Sequence, residues 1–227
     1  MTISKLTYLI LILVSIASCK TDFITDEKIV SDIFPQLVDS LNIKWRPMPP
    51  PPPPPIFDND SNFIGVDSSK VKEILLEHQK YLDRLDSIDS RIFIGITDTC
   101  FFIDWDDLKS RTYSEDDLVS EFISLNEIKT TISKVLNINQ INVSSNLKLI
   151  LKSEINNNYS NIWTILRDRK FAGLLEISRI YRLENNEFGL LQVDYYYDEW
   201  DGYSYFLIIE KTDKKWHIKK LLRNWVT

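Results

Sequence analysis

The sequence predicts an α+β fold in which N-terminal helices pack on a C-terminal four-stranded antiparallel meander. In the N-terminal and central parts, apolar residues recur at spacings of three and four, as they do along one face of a helix. The last third instead holds four strand-like runs separated by short turn sequences. Helices first and consecutive strands last are the order typical of an α+β domain.

The composition is that of a folded, acidic chain. Hydrophobic residues make up 44% and aromatic residues 12% of the 227 residues, which is enough to bury a core. The formal net charge of −6 argues against nucleic acid as a partner, because nucleic-acid binders usually present a basic face. His78 and His217 are the only histidines and lie far apart, so we expect neither a metal nor a cofactor.

The N-terminus has the form of a bacterial signal peptide. Lys5 supplies a positive charge, and the uncharged apolar run over 6–16 is too short for a membrane-spanning helix, which needs about 20 residues. The run ends in Ile16-Ala17-Ser18-Cys19, which resembles the lipobox of bacterial lipoproteins. The resemblance implies a signal peptide over 1–18 and lipid on Cys19 that holds the protein to a membrane.

The surroundings of the two cysteines predict location and redox state. Lys20 stands where some lipoproteins carry an aspartate that retains them at the inner membrane, so we expect the outer membrane of a bacterial cell envelope. With Cys19 taken by lipid, Cys100 has no second cysteine for an intramolecular disulfide. It lies in an apolar run over 99–102, which predicts an inert thiol in the core.

Residues 19–62 are predicted to form a lipidated N-terminus, an amphipathic helix and a polyproline spacer. Apolar residues at helical spacing predict the helix over 26–41, with Asp26 as N-cap and a kink or a second start at Pro35. Residues 49–55 are consecutive prolines, which predict a polyproline II segment of roughly 22 Å. This segment is either a stiff spacer or a ligand for an aromatic groove.

Residues 63–227 are predicted to form a single α+β globular domain. Its elements before the meander are a helix from Asp67 or Ser68 to about Asp86, a strand over 91–97, a helix opened by the capping box Ser114-Glu115-Asp116-Asp117, a helix over 128–136 and a strand over 147–153. The four meander strands are predicted over 174–183, 189–197, 203–211 and 215–223. Asp201-Gly202 between two aromatic strands is a strong hairpin signal.

The C-terminal stretch also resembles a known group of proteins. It contains Ser178-Arg179-Ile180, a tyrosine-rich strand, a hairpin, a strand with Glu210-Lys211 and a strand with Lys215-Trp216, and it ends in Trp225-Val226-Thr227. This order is similar to that of uncharacterised bacterial lipoproteins. The resemblance agrees with the N-terminal pattern and implies no activity.

The candidate ligand-binding residues surround the predicted hairpin. They are two tyrosines at the end of one strand and a tryptophan among three acids in the turn: Tyr195, Tyr197, Asp198, Glu199, Trp200 and Asp201. Aromatic faces beside hydrogen-bonding acids are typical of carbohydrate sites, although turns also need polar residues. Because side chains alternate along a strand, the aromatic residues form either an open ligand platform or a second core beneath the helix over 26–41.

One acidic motif partly matches a calcium site. Asp58-x-Asp60-x-Asn62 has the first ligand positions of an EF-hand loop. Phe63 and Ser69 stand where that loop needs glycine and glutamate, so we expect a solvated loop and no metal there.

No residue pattern predicts a catalytic centre, and the serine nucleophile elbow is missing. The sequence therefore favours a membrane-anchored binding or structural module, with an envelope protein or a glycan as partner. One alternative is a cell-envelope hydrolase, which would need two carboxylates about 5–9.5 Å apart in a cleft. Another is a curved-sheet domain with an apolar ligand pocket between the first helices and the meander.

Overall fold

The computed structural model describes residues 25–110, 117–124, 134–158, 165, 168–183 and 187–226. Its helices are α1 (Asp26–Ser40), α2 (Val71–Ile88), α3 (Trp105–Ser110), α4 (Asp117–Ser124) and α5 (Lys152–Asn158). Its strands are β1 (Pro55–Phe57), β2 (Phe63–Val66), β3 (Ile92–Ile96), β4 (Thr99–Cys100), β5 (Lys134–Val135), β6 (Leu147–Leu151), β7 (Phe171–Ile177), β8 (Tyr181–Arg182), β9 (Phe188–Tyr196), β10 (Gly202–Thr212) and β11 (Lys215–Val226). The predictions for residues 1–24, for Ser114-Glu115-Asp116 and for 128–133 fall outside the described residues.

A mixed β-sheet lies at the centre of the fold. Its strand order is β11-β10-β9-β7-β3-β6, with β8 paired to β9. The strands from β11 to β7 are antiparallel neighbours, whereas β3 pairs in parallel with both β7 and β6. The α+β class is confirmed, but the four-stranded antiparallel meander is wrong, because two parallel strands extend the sheet. β3 is apolar at successive positions and therefore needs cover on both faces. Ile94 and Ile96 lie in the core on one face, and Phe93 lies in a cluster on the other.

Ser178 divides the first predicted strand of the meander. The run over 174–183 is observed as β7, which begins earlier at Phe171, and as the short strand β8. Ser178 is fully buried between them. Its hydroxyl accepts a hydrogen bond from the backbone N–H of Gln192 at 2.7 Å and donates one to the carbonyl of Arg179 at 2.8 Å. The Ser178 backbone N–H keeps its bond to the Gln192 carbonyl at 2.9 Å, but the hydroxyl replaces the Ser178 carbonyl as acceptor for the Gln192 N–H, and the strand breaks here.

Two further predicted boundaries are wrong because distant segments bond to them. The strand predicted over 147–153 ends at Leu151, and Ser153 lies in α5, where its backbone N–H donates to the Asp98 carboxylate at 3.0 Å. The helix predicted over 128–136 does not include Lys134 and Val135, which pair with β4. Both partners are remote in sequence, so local periodicity could not indicate them.

α1 covers one face of the sheet and confirms the helix predicted over 26–41. The helix runs unbroken through the exposed Pro35, so no second helix begins there. Its N-cap is Thr25 rather than Asp26, since the Thr25 hydroxyl accepts the backbone N–H of Lys28 at 3.2 Å. The buried side of α1 packs on alternate residues of the central strands; this core includes Ile29, Ile33, Phe34, Leu37, Leu191, Val193, Tyr195, Leu207, Ile209 and Trp216.

The opposite face of the sheet is covered in two places. One cluster joins α3 and α4 to β9, β10 and β11; it includes Leu108, Val119, Phe122, Leu190, Phe206, Ile208 and Leu222. A second cluster joins α5 and Ile165 to β3 and β7 through Phe93, Ile155 and Phe171. The helix predicted from Asp67 or Ser68 to about Asp86 is observed as a 3₁₀ turn over Ser68–Lys70 followed by α2, whose Leu85 alone among its residues is buried.

Phe34→Ala should lower the free energy of unfolding by about 3–5 kcal/mol, because the buried ring would leave a cavity between α1 and the sheet. Pro35→Ala is the matched control at the neighbouring exposed position. It should leave the stability equal or higher, since alanine restores a helix donor. Urea denaturation measures both effects. Equal midpoints for the parent and both variants would contradict a core built on α1.

Candidate functional site

α1 and the segment after it cover most of the predicted aromatic strip. Tyr195 is fully buried, and its hydroxyl donates a hydrogen bond to the carbonyl of Ala172 at 2.7 Å. Tyr203 is half-buried, and its hydroxyl donates to the carbonyl of Leu41, just after α1. Of the two alternatives for these aromatic residues, the second core is therefore confirmed. Tyr195 belongs to this core and not to a surface that a ligand could reach, because the apolar side of α1 needs the same face of the sheet.

Tyr197 lies at the margin of this core. Its ring centroid is 5.8 Å from that of Tyr203, and the Arg46 guanidinium lies 4.3 Å from its own ring centroid. A cation over an aromatic face is attracted by the ring quadrupole. Arg46 therefore occupies one of the two faces of the Tyr197 ring on which a ligand could stack. Tyr197 therefore has one ring face already engaged within the molecule.

The other four predicted site residues form the exposed tip of the β9–β10 hairpin. The backbone N–H groups of Tyr197 and Asp198 donate to the carbonyl of Asp201 at 3.1 and 3.3 Å, and the Asp198 carboxylate accepts the N–H of Glu199 at 2.7 Å. Trp200 is 81% exposed. The structure thus brings Asp198, Glu199, Trp200 and Asp201 together at one tip and separates them from Tyr195. A ligand role for this tip stays a prediction.

A buried polar cluster, Gln192, Asp194, Ser204 and Asn224, lies on the sheet face opposite α1. Gln192 Nε2 donates to Asp194 Oδ1 at 3.0 Å and lies 3.2 Å from the Ser204 hydroxyl. Asn224 Nδ2 donates to the same hydroxyl at 3.3 Å. These residues share a face because Gln192 and Asp194 alternate with the β9 residues that pack beneath α1. Sequence analysis missed the cluster, although a carboxylate within an otherwise apolar strand is a signal that could have found it.

Asp194 carries the unusual electrostatics of this cluster. Burial raises the pKa of its carboxyl group above the ordinary range, and hydrogen bonds from Ser204 and Gln192 oppose the shift only in part. Glu176 faces Asp194 across the β7–β9 pair, and its charge raises that pKa further. Glu176 is itself paired with Lys152 at 3.1 Å. The sheet therefore holds two neighbouring carboxyl groups, each already bonded to other side chains.

Most exposed large apolar side chains of the described residues lie in one segment, residues 48–88, which we call the arm. Its exposed apolar residues are Met48, Ile56, Phe57, Phe63, Ile64, Val66, Val71, Leu75, Leu76 and Ile88. Single exposed apolar residues are common, but a concentration of them marks an interaction surface. The sequence predicted a helix and a solvated loop in this segment, but neither the ribbon nor the exposure of these side chains.

After most of the proline run, the arm forms a two-stranded ribbon from β1 and β2. The Phe57 and Phe63 rings pack edge to face at 6.2 Å, and all three residues of β1 are exposed. The motif that resembles an EF-hand loop forms the turn of this ribbon. There the Asp58 carboxylate accepts the N–H groups of Asp60 and Asn62, both at 2.9 Å. Asp58 is therefore used to hold the turn. A two-stranded ribbon is at best marginally stable alone in water.

The proline run and α2 line one cavity of about 260 Å³. Its walls are mostly apolar and comprise Met48, Pro49, Pro51, Ile74, Glu77, His78 and Tyr81. Part of the proline run therefore lies beside a helix of its own chain. The choice between a spacer and a ligand for an aromatic groove stays a prediction.

The two remaining candidates for reactive chemistry are single groups within the fold. Cys100 is a buried core thiol, as predicted, and burial raises its pKa to about 11, so it stays protonated. His217 Nδ1 lies 3.1 Å from the side-chain amide nitrogen of Gln36 on α1. Within the described ranges, no three histidine, cysteine or acidic side chains are grouped so that they could hold a metal ion.

No protein-family model, no curated protein and no solved structure matches the chain. Among the residues that the structure describes, no helix is both long enough and apolar enough to cross a membrane. Function therefore has to be inferred from the chain's own residues.

Asp194→Asn should raise the free energy of unfolding at pH 7 by about 1 kcal/mol. The folded-state pKa of Asp194 is raised, so its ionisation opposes folding in full above that pKa and not at all below the unfolded-state pKa of about 3.9. The gain should therefore shrink as the pH falls and vanish in acid. Thermal melting between pH 3 and pH 8 measures it, with Asp198→Asn at the exposed tip as control. A variant less stable than the parent at pH 7 would contradict this account.

Proposed function

We propose that this protein is a lipid-anchored lipoprotein of the bacterial outer membrane that acts as a non-catalytic binding module for another envelope protein. The lipobox-like sequence ending in Cys19 supports the anchor. The arm is the single observation that carries the binding role, because it gathers exposed apolar side chains on a protein whose sheet is otherwise well covered.

The ribbon is the part of the arm best suited to a partner. Both of its strands have one edge that no third strand of the described residues pairs with, and Phe63 and Ile64 are each 63% exposed. Open strand edges recruit extended segments of other chains, with main-chain hydrogen bonds for affinity and apolar contacts for specificity. We therefore assign the ribbon an extended apolar segment of a partner protein, which would add a strand and cover these side chains.

The alternatives have weaker support. The pair Glu176 and Asp194 could serve a carboxylate hydrolase, yet Lys152 and Gln192 already bind these groups. A curved-sheet domain would hold its ligand between α1 and the sheet, where the core side chains of α1 and β9 fill the space. A glycan contact at the hairpin tip would rest on Trp200 alone as the aromatic side chain of residues 198–201.

Cys19→Ser should abolish lipid attachment and leave the precursor unprocessed or soluble, because the thiol is the group that accepts the lipid. Labelling of cells with a radioactive fatty acid measures this, and Cys100→Ser is the matched control that should keep full label. Equal label on the parent and on Cys19→Ser would contradict the anchor.

A photo-reactive phenylalanine analogue placed at Ile64 should cross-link the chain in intact cells to one discrete envelope protein, because the ribbon is the proposed contact. The same analogue at Trp200, which is also highly exposed, is the control and should give no discrete adduct. Immunoblotting of the envelope fraction measures both. If Trp200 alone gives an adduct, the hairpin tip binds and the arm does not.

A further inference from the structure

The outer side of α2 carries a stripe of exposed residues. Lys72, Leu76, Gln79 and Asp83 follow one another at spacings of four, three and four, so they form one line along the helix. All four are exposed, and Leu76 is 58% exposed. Leu75 beside them is 51% exposed. We call Lys72, Leu76, Gln79 and Asp83 the outer stripe.

The side of α2 opposite the outer stripe is already occupied. Leu85 is buried, and Ile74, His78 and Tyr81 line the cavity beside the prolines. At 3.6 residues per turn these residues lie on the far side of the helix from Leu76. The helix is therefore held on one side and presents leucines on the other.

The outer stripe complements itself when two copies of it meet in opposite directions. Consider an antiparallel helix pair whose two-fold axis passes between residues 77 and 78. Each contact between two residues then occurs twice, once from each copy. Along the line of contact, this axis places Lys72 opposite Asp83 and Leu76 opposite Gln79. The flanking rows are offset along the helix from this register, which brings Glu73 beside Lys80 on one flank and Leu75 beside Leu82 on the other. Spacings that alternate between three and four are those of helices that pack side by side.

The overall charge of the helix permits this pairing. From residue 68 to residue 88 the bases are Lys70, Lys72, Lys80 and Arg84, and the acids are Glu73, Glu77, Asp83 and Asp86, so four positive charges balance four negative ones. The chain as a whole has a formal charge of −6. Two copies would therefore approach through a neutral helix that carries charges of both signs, and not through the acidic remainder of the surface.

We propose that the occupant of the outer stripe is a second copy of this chain, docked antiparallel through α2 in a two-fold symmetric dimer. The inference rests on the proposed function, because it names the partner for one surface of the arm and leaves the ribbon for another protein. The contact covers about three helical turns and is smaller than standard stable interfaces, so we expect a reversible dimer with a dissociation constant on the order of micromolar. Confinement of lipid-anchored chains to one membrane raises their effective concentration.

A charge-swap series on the full-length protein, purified from membranes in detergent, tests the dimer by sedimentation equilibrium. Asp83→Lys and Lys72→Asp should each weaken association about tenfold, because each places like charges opposite one another. The double variant Lys72→Asp with Asp83→Lys restores opposite charges and should return to within about threefold of the parent. Lys214→Asp, in the exposed β10–β11 turn, is the matched control and should have no effect.

The outcomes separate this inference from the proposed function. A parent chain that stays monomeric at all concentrations overturns the dimer, as does a double variant that associates no better than the single variants. An Ile64 adduct with another protein would still support the ribbon in either case. Conversely, a dimer that follows the charge-swap pattern without any Ile64 adduct supports this inference and overturns the proposed role of the ribbon.

Discussion

The burial of α1 against the sheet is the interaction on which the rest of the structure depends. It buries Tyr195 beneath a helix, and it holds the edge strand β11 in register. There the backbone N–H of Ile218 donates to the Gln36 side chain at 2.7 Å. At the other end of the helix, Lys134 lies 3.3 Å from Asp26 and 3.4 Å from Glu27, so the start of α1 is tied to β5. The packing of α1 on the sheet therefore holds α1, β11 and β5 together.

This layer also determines which surfaces remain for function. Because the face beneath α1 is filled, the polar side chains of β9 lie together on the opposite face, where Asp194 is retained at a cost in solvation. A buried polar network can specify one register of a sheet, since a slip by one residue would turn Asp194 toward the apolar face. The cluster therefore has a structural explanation that requires no ligand.

The arm is different, because its own fold does not account for its exposed residues. The ribbon exposes Phe57 and Phe63, and α2 exposes Leu75 and Leu76. This apolar surface stays in contact with water and does not contribute to the core around the sheet. A lipid anchor would hold this arm at a membrane surface, where encounters with other anchored chains are frequent. A partner protein and a second copy of this chain would therefore contact different parts of the same segment, the partner at the ribbon and the second copy at the outer stripe.

The sequence by itself determined the features that depend on neighbours in the chain. Helical periodicity placed α1 and α2 within a few residues. The strand-like runs and the turn sequences between them placed β9, β10 and β11, and Asp201-Gly202 placed the β9–β10 hairpin. The tertiary structure decided which strands pair, because the parallel partners of β3 lie more than fifty residues away and no local pattern records them. It also decided which aromatic residues are available: Tyr195 is buried and Trp200 is exposed, although they lie five positions apart. Burial depends on which element covers a face, and only the packing of α1 on the sheet specifies that.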